Sequence, residues 1–258
     1  MNRPDDHLAL AAELVDAVAY HPLIHKLSTF ADLSVDEQNA IVDVIGRTAE
    51  FTAGEDIILR GDQTGGIRLL LNGFAARYKI LEDGRRQILA FLLPGDFCNL
   101  HASLLKHLDH SVVALSPSQV SIIPQGSMDD LMAKWPKVAR ALWWSTLREE
   151  AITREWVVNI GQRTAYERMA HLFCELFYRM RAAGKVEDKT FQLPLTQSVL
   201  ADTLGLSSVH TNRTLQDLRR GGLITFRSGV LTVRNLPALE KAAFFSSDYL
   251  HMERAAVA

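Results

Sequence analysis

The residue that most constrains this chain is Gly205. It breaks TQSVLADTLGLSSVHTNRTLQDLRRGGLITF, residues 196–226, at the point where apolar residues spaced three and four apart stop and then resume. Ending one helix and redirecting the chain within so few residues calls for a left-handed backbone, which glycine adopts without steric cost. Thr196 is placed to cap a first helix running to about Leu204, and Ser207 a second from Ser208 to about Arg220. Ala201 is small where the two helices cross, and Leu200, Leu204, Leu206, Leu215 and Leu218 supply a shared apolar face. Thr211 and Thr214 stand on that face where larger aliphatics are more usual, though their methyl groups can still pack. GGLITFRSGVLTVRN then predicts two short strands meeting at Ser228-Gly229. The pattern is a helix-turn-helix followed by a wing.

The second helix carries His210, Asn212, Arg213, Gln216, Arg219 and Arg220 among its leucines. A helix lying in a DNA major groove offers its N-terminal residues to base edges and later basic residues to the backbone. Contacts to double-stranded DNA are therefore expected from Ser207, Ser208, Val209, His210, Asn212, Arg213, Arg219 and Arg220, with Arg227 on the wing. Of these, Arg213 suits guanine O6 and N7, Asn212 suits adenine, and Val209 suits a thymine methyl, with Ser208 beside them. His210, Arg219, Arg220 and Arg227 suit phosphates. A solvated helix end balancing the dipole is the alternative for Arg219 and Arg220. The net charge of -2 hides a division: residues 1–158 hold 15 Lys/Arg against 21 Asp/Glu, and residues 159–235 hold 11 against 6. A basic module on an acidic one points toward a polyanion.

Upstream, residues 8–49 read as helical, with Ser34 and Glu37 forming a capping box. From Phe51 to about Ile123, short apolar runs punctuated by Gly54, Gly61, Gly73, Gly84 and Gly95 predict a compact β-barrel or jelly roll. SMDDLMAKWP reads as a short capped helix. Val138 to Ile160 contains no Pro or Gly and predicts one long helix, whose stripe of Ala139, Leu142, Trp143, Thr146, Leu147, Ala151, Trp156 and Val157 requires cover. No run of apolar residues is long enough to span a membrane, and acidic residues interrupt every stretch that could serve as a leader, so a cytoplasmic location is expected.

These segments resemble the Crp/Fnr family of bacterial transcription regulators, related to the cyclic-AMP receptor protein, over roughly residues 22–240. FTAGEDIILRGDQTGGIRLLLNG and GRRQILAFLLPGDF resemble strands of its sensor domain, and TAYERMAHLF with the winged helix resembles its DNA-binding domain. The resemblance implies an α+β fold: an N-terminal cyclic-nucleotide-binding-type β-barrel of jelly-roll form, a long dimerisation helix and a C-terminal winged helix-turn-helix. Residues 1–21 would be a helical extension, 22–126 the sensor barrel, 127–160 the connecting and dimerisation helices, 161–243 the DNA-binding domain and 244–258 a tail. It further implies a homodimer through the 138–160 helix, a palindromic operator and RNA polymerase as a partner.

The sequence departs from the family where nucleotide-binding members hold their ligand. After PGDF those members carry a G-E-L-G cassette and later an Arg-Ser pair. Here Asn99 replaces the Gly, Leu100 the Glu and His110 the Arg, while Ser111 remains. Leucine cannot accept a ribose hydrogen bond, and histidine is no permanent cation for a buried phosphate. Cys98, Asn99, Leu100, His101, His110 and Ser111 are the candidate effector pocket, with the effector unassigned and cyclic AMP disfavoured. A cassette filled by Leu100 and Leu104 is a second possibility. Cys98 and Cys174 are too few for an iron–sulfur cluster, and His101, His107 and His110 match no zinc spacing, so no metal or cofactor is expected. Catalytic fingerprints are absent, so an enzyme is not expected. The competing reading is a sensor for a cyclic nucleotide or other small molecule whose helix-turn-helix serves protein interaction.

Overall fold

The structure is a computed structural model and describes residues 21–62, 65–105 and 107–252. All but the last residue of the helical extension expected over 1–21 lies outside them. Helix α1, Pro22–Leu27, starts at a proline, which suits a first helical position because no amide proton is needed there. Helix α2, Val35–Asp43, opens with the expected capping box: Ser34 Oγ accepts from the Glu37 amide at 3.3 Å, and Glu37 Oε2 accepts from the Ser34 amide at 2.7 Å. The helical reading through residue 49 runs too far. Strand β1, Thr48–Phe51, begins before it ends, and a Cβ at Gly46 would lie 1.9 Å from the Ile122 carbonyl oxygen, so the chain there is drawn against a strand.

The remaining strands of the first half are β2 (Asp56–Ile58), β3 (Ile67–Asn72), β4 (Ala75–Ile80), β5 (Arg86–Leu92), β6 (Ser111–Ala114) and β7 (Ser118–Ile123). They pair in two antiparallel sheets, ordered β1-β7-β3 and β2-β6-β4-β5. The result is a jelly-roll-like pair of sheets rather than a closed barrel. Between them lie Ile57, Ile58, Leu70, Ala75, Leu92, Val112, Ala114 and Val120.

Helix α3, Gln125–Lys134, begins two residues before SMDD and has Pro124, not a capping side chain, at its start, which corrects the expected cap. Helix α4, Pro136–Gln162, extends two residues beyond the expected helix at each end. Its apolar residues divide between two sides. Val138, Ala141 and Leu142 pack with α1 and α3, while Ile152 and Trp156 enter a second core. The expected single stripe is thus split: Leu142, Ala151 and Trp156 are buried within the chain, and Trp143, Leu147 and Val157 are exposed.

Helix α5, Ala165–Ala182, opens with a capping box between Thr164 and Glu167. After it come β8 (Thr190–Gln192), α6 (Gln197–Leu204), α7 (Ser208–Arg220), β9 (Ile224–Arg227), β10 (Val230–Val233) and α8 (Leu236–Ala243). The wing is a three-stranded sheet, β8-β10-β9, whose tip has positive φ at both Ser228 and Gly229, as a two-residue hairpin turn demands. One apolar core runs from the outer face of the β4–β5–β6 sheet, through Tyr78, Ile88, Phe91 and Val113, into α5 and the helix-turn-helix. Residues after α8 also join it: Leu250 is buried, and the Tyr249 hydroxyl donates to Glu175 Oε2 at 3.1 Å.

Candidate nucleic-acid interface

Helix α6 is capped by Thr196, whose side chain accepts from the Val199 amide, and ends at Gly205 with φ 63° and ψ 39°, the left-handed geometry anticipated from its sequence. Three residues later α7 begins, with Ser207 Oγ accepting from the His210 amide at 3.3 Å. The inner face of α7 holds Thr211, Thr214, Leu215 and Leu218, all buried, so both threonines do pack where aliphatics are usual. On the outer face Ser208, Val209, His210, Asn212, Arg213, Gln216 and Arg220 are exposed. Val209 is 81% exposed, so its methyl groups are free to meet a partner.

Two of the basic residues are engaged. A terminal nitrogen of Arg219 donates to the Phe226 carbonyl of β9, and its Nε is buried without a partner. Arg219 therefore fastens the wing to the helix. Arg220 remains largely exposed, with one nitrogen 2.5 Å from Asp217 Oδ1 across one turn. Arg213, Arg227 and Arg234 are exposed.

The motif is positioned by residues that the sequence patterns did not single out. Arg168 on α5 donates to the Leu204 carbonyl at 2.5 Å, and to those of Ile160 at 2.8 Å and Arg163 at 3.1 Å, joining the ends of α4 and α6. On the sensor side Arg86 Nε lies 2.8 Å from Asp202 Oδ2, and Gln87 donates to the Thr203 carbonyl at 3.2 Å. Strand β5 thereby holds the first helix of the motif directly. An arginine paired to an acid 116 positions away leaves no local signal in a sequence.

The candidate effector residues are close together, yet most are committed to the fold. Asn99 is fully buried; its side chain accepts from the Arg68 amide at 2.7 Å and donates to the Gly66 carbonyl at 3.1 Å, tying the loop to β3. Ser111 Oγ accepts from the Arg60 amide at 2.9 Å. His110 is buried, with Nδ1 2.8 Å from Asp109, and its ring centroid lies 5.5 Å from that of His101. Leu100 packs partly against the α1–α3 core. Leu104 does not fill a cassette, being 87% exposed. Cys98 is fully buried, and burial pushes its thiol up to about 12. Arg77 braces this loop from β4: it donates to the Phe97 carbonyl at 2.6 Å and the Cys98 carbonyl at 3.3 Å, and pairs with Glu149 of α4 at 2.7 Å.

Residues 167–242 match the Crp-like helix-turn-helix domain, and residues 48–134 match the cyclic nucleotide-binding domain. The chain is 31% identical over 192 residues to the transcriptional activator protein FnrL of Cereibacter sphaeroides, covering 73% of this chain and 76% of that one. The chain belongs to the Crp/Fnr family. A second member, the nitrogen fixation regulation protein FixK of Bradyrhizobium diazoefficiens, is 30% identical over 200 residues, covering 77% of this chain and 83% of FixK. Among solved structures, FixK2 from Bradyrhizobium japonicum superimposes with a TM-score of 0.69 at 25% identity, covering 83% of this chain and all of FixK2. As a member of this family the chain is a DNA-binding transcription regulator. These relatives are regulators, not enzymes. No helix among the described residues is long and apolar enough to cross a membrane.

Proposed function

We propose that this regulator binds a palindromic operator as a homodimer, placing the outer face of α7 from each protomer in successive major grooves. The observation that carries the reading is the exposed set Ser208, Val209, Asn212 and Arg213 on the first turns of a helix whose opposite face is fully packed. Arg213 reads a guanine, Asn212 an adenine and Val209 a thymine methyl, while His210, Arg220 and Arg227 lie on phosphates. Dimerisation uses α4. Trp143, Leu147, Glu150, Arg154 and Val157 follow four- and three-residue steps along one exposed side, and the central pair, Glu150 and Arg154, is joined at 2.6 Å. RNA polymerase is the natural further partner, and the cytoplasm the natural setting.

Cyclic AMP is not the effector on this reading, because the position of the family's phosphate-binding arginine holds His110, already paired with Asp109, and Asn99 and Ser111 are consumed by backbone contacts. Selection from a random pool of duplexes with the purified, ligand-free protein tests the proposal. Enrichment of an inverted repeat is expected, and failure to enrich any sequence would overturn the ligand-free form of the proposal.

A further inference from the structure

A cleft of about 520 Å³ opens where three parts of the chain meet: α1, the turn after β5, and the facing sides of α4 and the C-terminal end of α5. It is separate from the loop that holds Asn99 and His110. Its lining includes four permanent cations, Lys26, Arg148, Arg179 and Lys185, together with His25, against a single carboxylate among the described residues, Asp96.

That carboxylate is already shared. Lys26 Nζ is 2.7 Å from Asp96 Oδ1, and Arg179 is 3.2 Å from Asp96 Oδ2. Burial alone would raise the Asp96 carboxyl, yet the two cations outweigh it and hold the group well below the usual range. Arg179 is further paired with Glu175 at 3.2 Å, and Lys26 lies 3.8 Å from Glu149. Arg148 is directly paired with none of these carboxylates. Its Nε donates to the Leu250 carbonyl at 2.7 Å, and its guanidinium stands 5.8 Å from the Trp144 ring centroid, but it forms no ion pair among the described residues. Burial, and after it the neighbouring Arg179 charge, pull its pKa down further than the charges of Asp96, Glu149 and Glu175 raise it, so the cation is held at a cost. Lys185, on the rim, is exposed and makes no ion pair among the described residues.

A cation kept half-buried in a cavity with no carboxylate paired to it among the described residues is matched by a ligand that brings one. We infer that this cleft binds a small organic anion carrying two or more carboxylate or phosphate groups, with Arg148 as its central partner and Lys185 and Lys26 flanking it. The volume lies within the range of small-molecule sites, roughly 300–1,000 Å³. Guanidinium groups suit both acid types because they donate two parallel hydrogen bonds. Such a ligand would touch the sensor through Lys26, the long helix through Arg148 and the DNA-binding domain through Arg179, and would stabilise this arrangement of the three.

The test needs no DNA, so it stands or falls apart from the operator assignment. Thermal unfolding of the full chain is followed against citrate and, separately, pyrophosphate, with ionic strength balanced by sodium chloride. A saturable rise in Tm is expected with at least one of them, and the two arms distinguish carboxylate from phosphate chemistry. Arg148→Met should weaken the midpoint at least ten-fold. Lys185→Ala, on the exposed rim, should weaken it several-fold while leaving the anion-free Tm unchanged, which guards against a misfolded Arg148 variant. A rise no larger than that with chloride, or a saturable rise undiminished in both variants, would mean an adventitious ion only and overturn the inference.

Discussion

At the scale of single residues, the proposed contacts differ in what each can lose. Arg213 is exposed on the second turn of α7, so Arg213→Ala should leave folding intact. Loss of a bidentate contact to guanine costs about 1–3 kcal/mol and relaxes preference at that one position of each half-site. Fluorescence anisotropy with single-base operator variants reads this; an equal loss on every variant would assign Arg213 to the backbone instead. His171 presents a different case. It is buried between Phe245 and Tyr249, and Glu155, 3.3 Å away, is already paired with Arg163. Burial, and secondarily the Arg163 charge, push the imidazole from 6.5 down to about 3. Between those values the unfolded chain takes up a proton that the folded chain refuses, so the stability from neutral His171 is complete above about pH 6.5 and drains as pH falls. His171→Phe should remove that slope, narrowing the stability gap to wild type by about 1.4 kcal/mol per pH unit below pH 6. Chemical denaturation between pH 7.5 and 4.5 measures it, and a gap that stays constant would refute the assignment. Residue-level signals differed in how readable they were. Gly205 and the Ser228-Gly229 turn act through their own backbones and Ser207 through a hydroxyl three residues from its partner, so all were legible from the chain alone. The tie from Arg219 to the Phe226 carbonyl was not legible, because it is fixed by tertiary folding of the wing.

At the scale of elements, α4 shows both the strength of periodicity and its blind spot. Its existence and length follow from an uninterrupted run of helix-compatible residues, but periodicity cannot say which apolar stripe faces the chain's own core. Trp156 turned inward, its Nε1 donating to Glu175 at 2.9 Å and its ring 5.8 Å from Phe91, whereas Trp143 stayed 65% exposed. If that exposed side is the dimer seam, Trp143→Glu combined with Leu147→Glu places four like charges on it across the two protomers. A buried indole contributes several kcal/mol at about 25 cal/mol per Å², so dimerisation should weaken at least about 100-fold while the fold persists. Sedimentation equilibrium together with far-ultraviolet circular dichroism would show it; an unchanged dimer would place the interface elsewhere. Strand β8 and helix α8 escaped the sequence patterns for a related reason: β8 is three residues long, and α8 follows a strand with only Arg234 and Asn235 between.

At the scale of the whole molecule, the sensor and the DNA-binding half are not separate bodies joined by one helix. They share a core, and β5 grips α6 through Arg86 and Gln87. A displacement of the β4–β5 hairpin would therefore reach the helix-turn-helix directly as well as through α4. A compact β-barrel or jelly roll was legible from the sensor's glycine-punctuated apolar runs, but not its division into two open sheets, which is set by strand pairing across the domain. The coupling between halves was not, since it rests on pairs more than a hundred residues apart. Central to the proposal is that two copies of α7 read DNA together. Hydroxyl-radical footprinting of the purified protein on a selected duplex tests this most directly. The account predicts two protected patches related by two-fold symmetry and separated by one helical turn, about 34 Å, both lost when the α4 seam carries the paired glutamates. A single asymmetric patch, or protection that survives in the monomer, would contradict it.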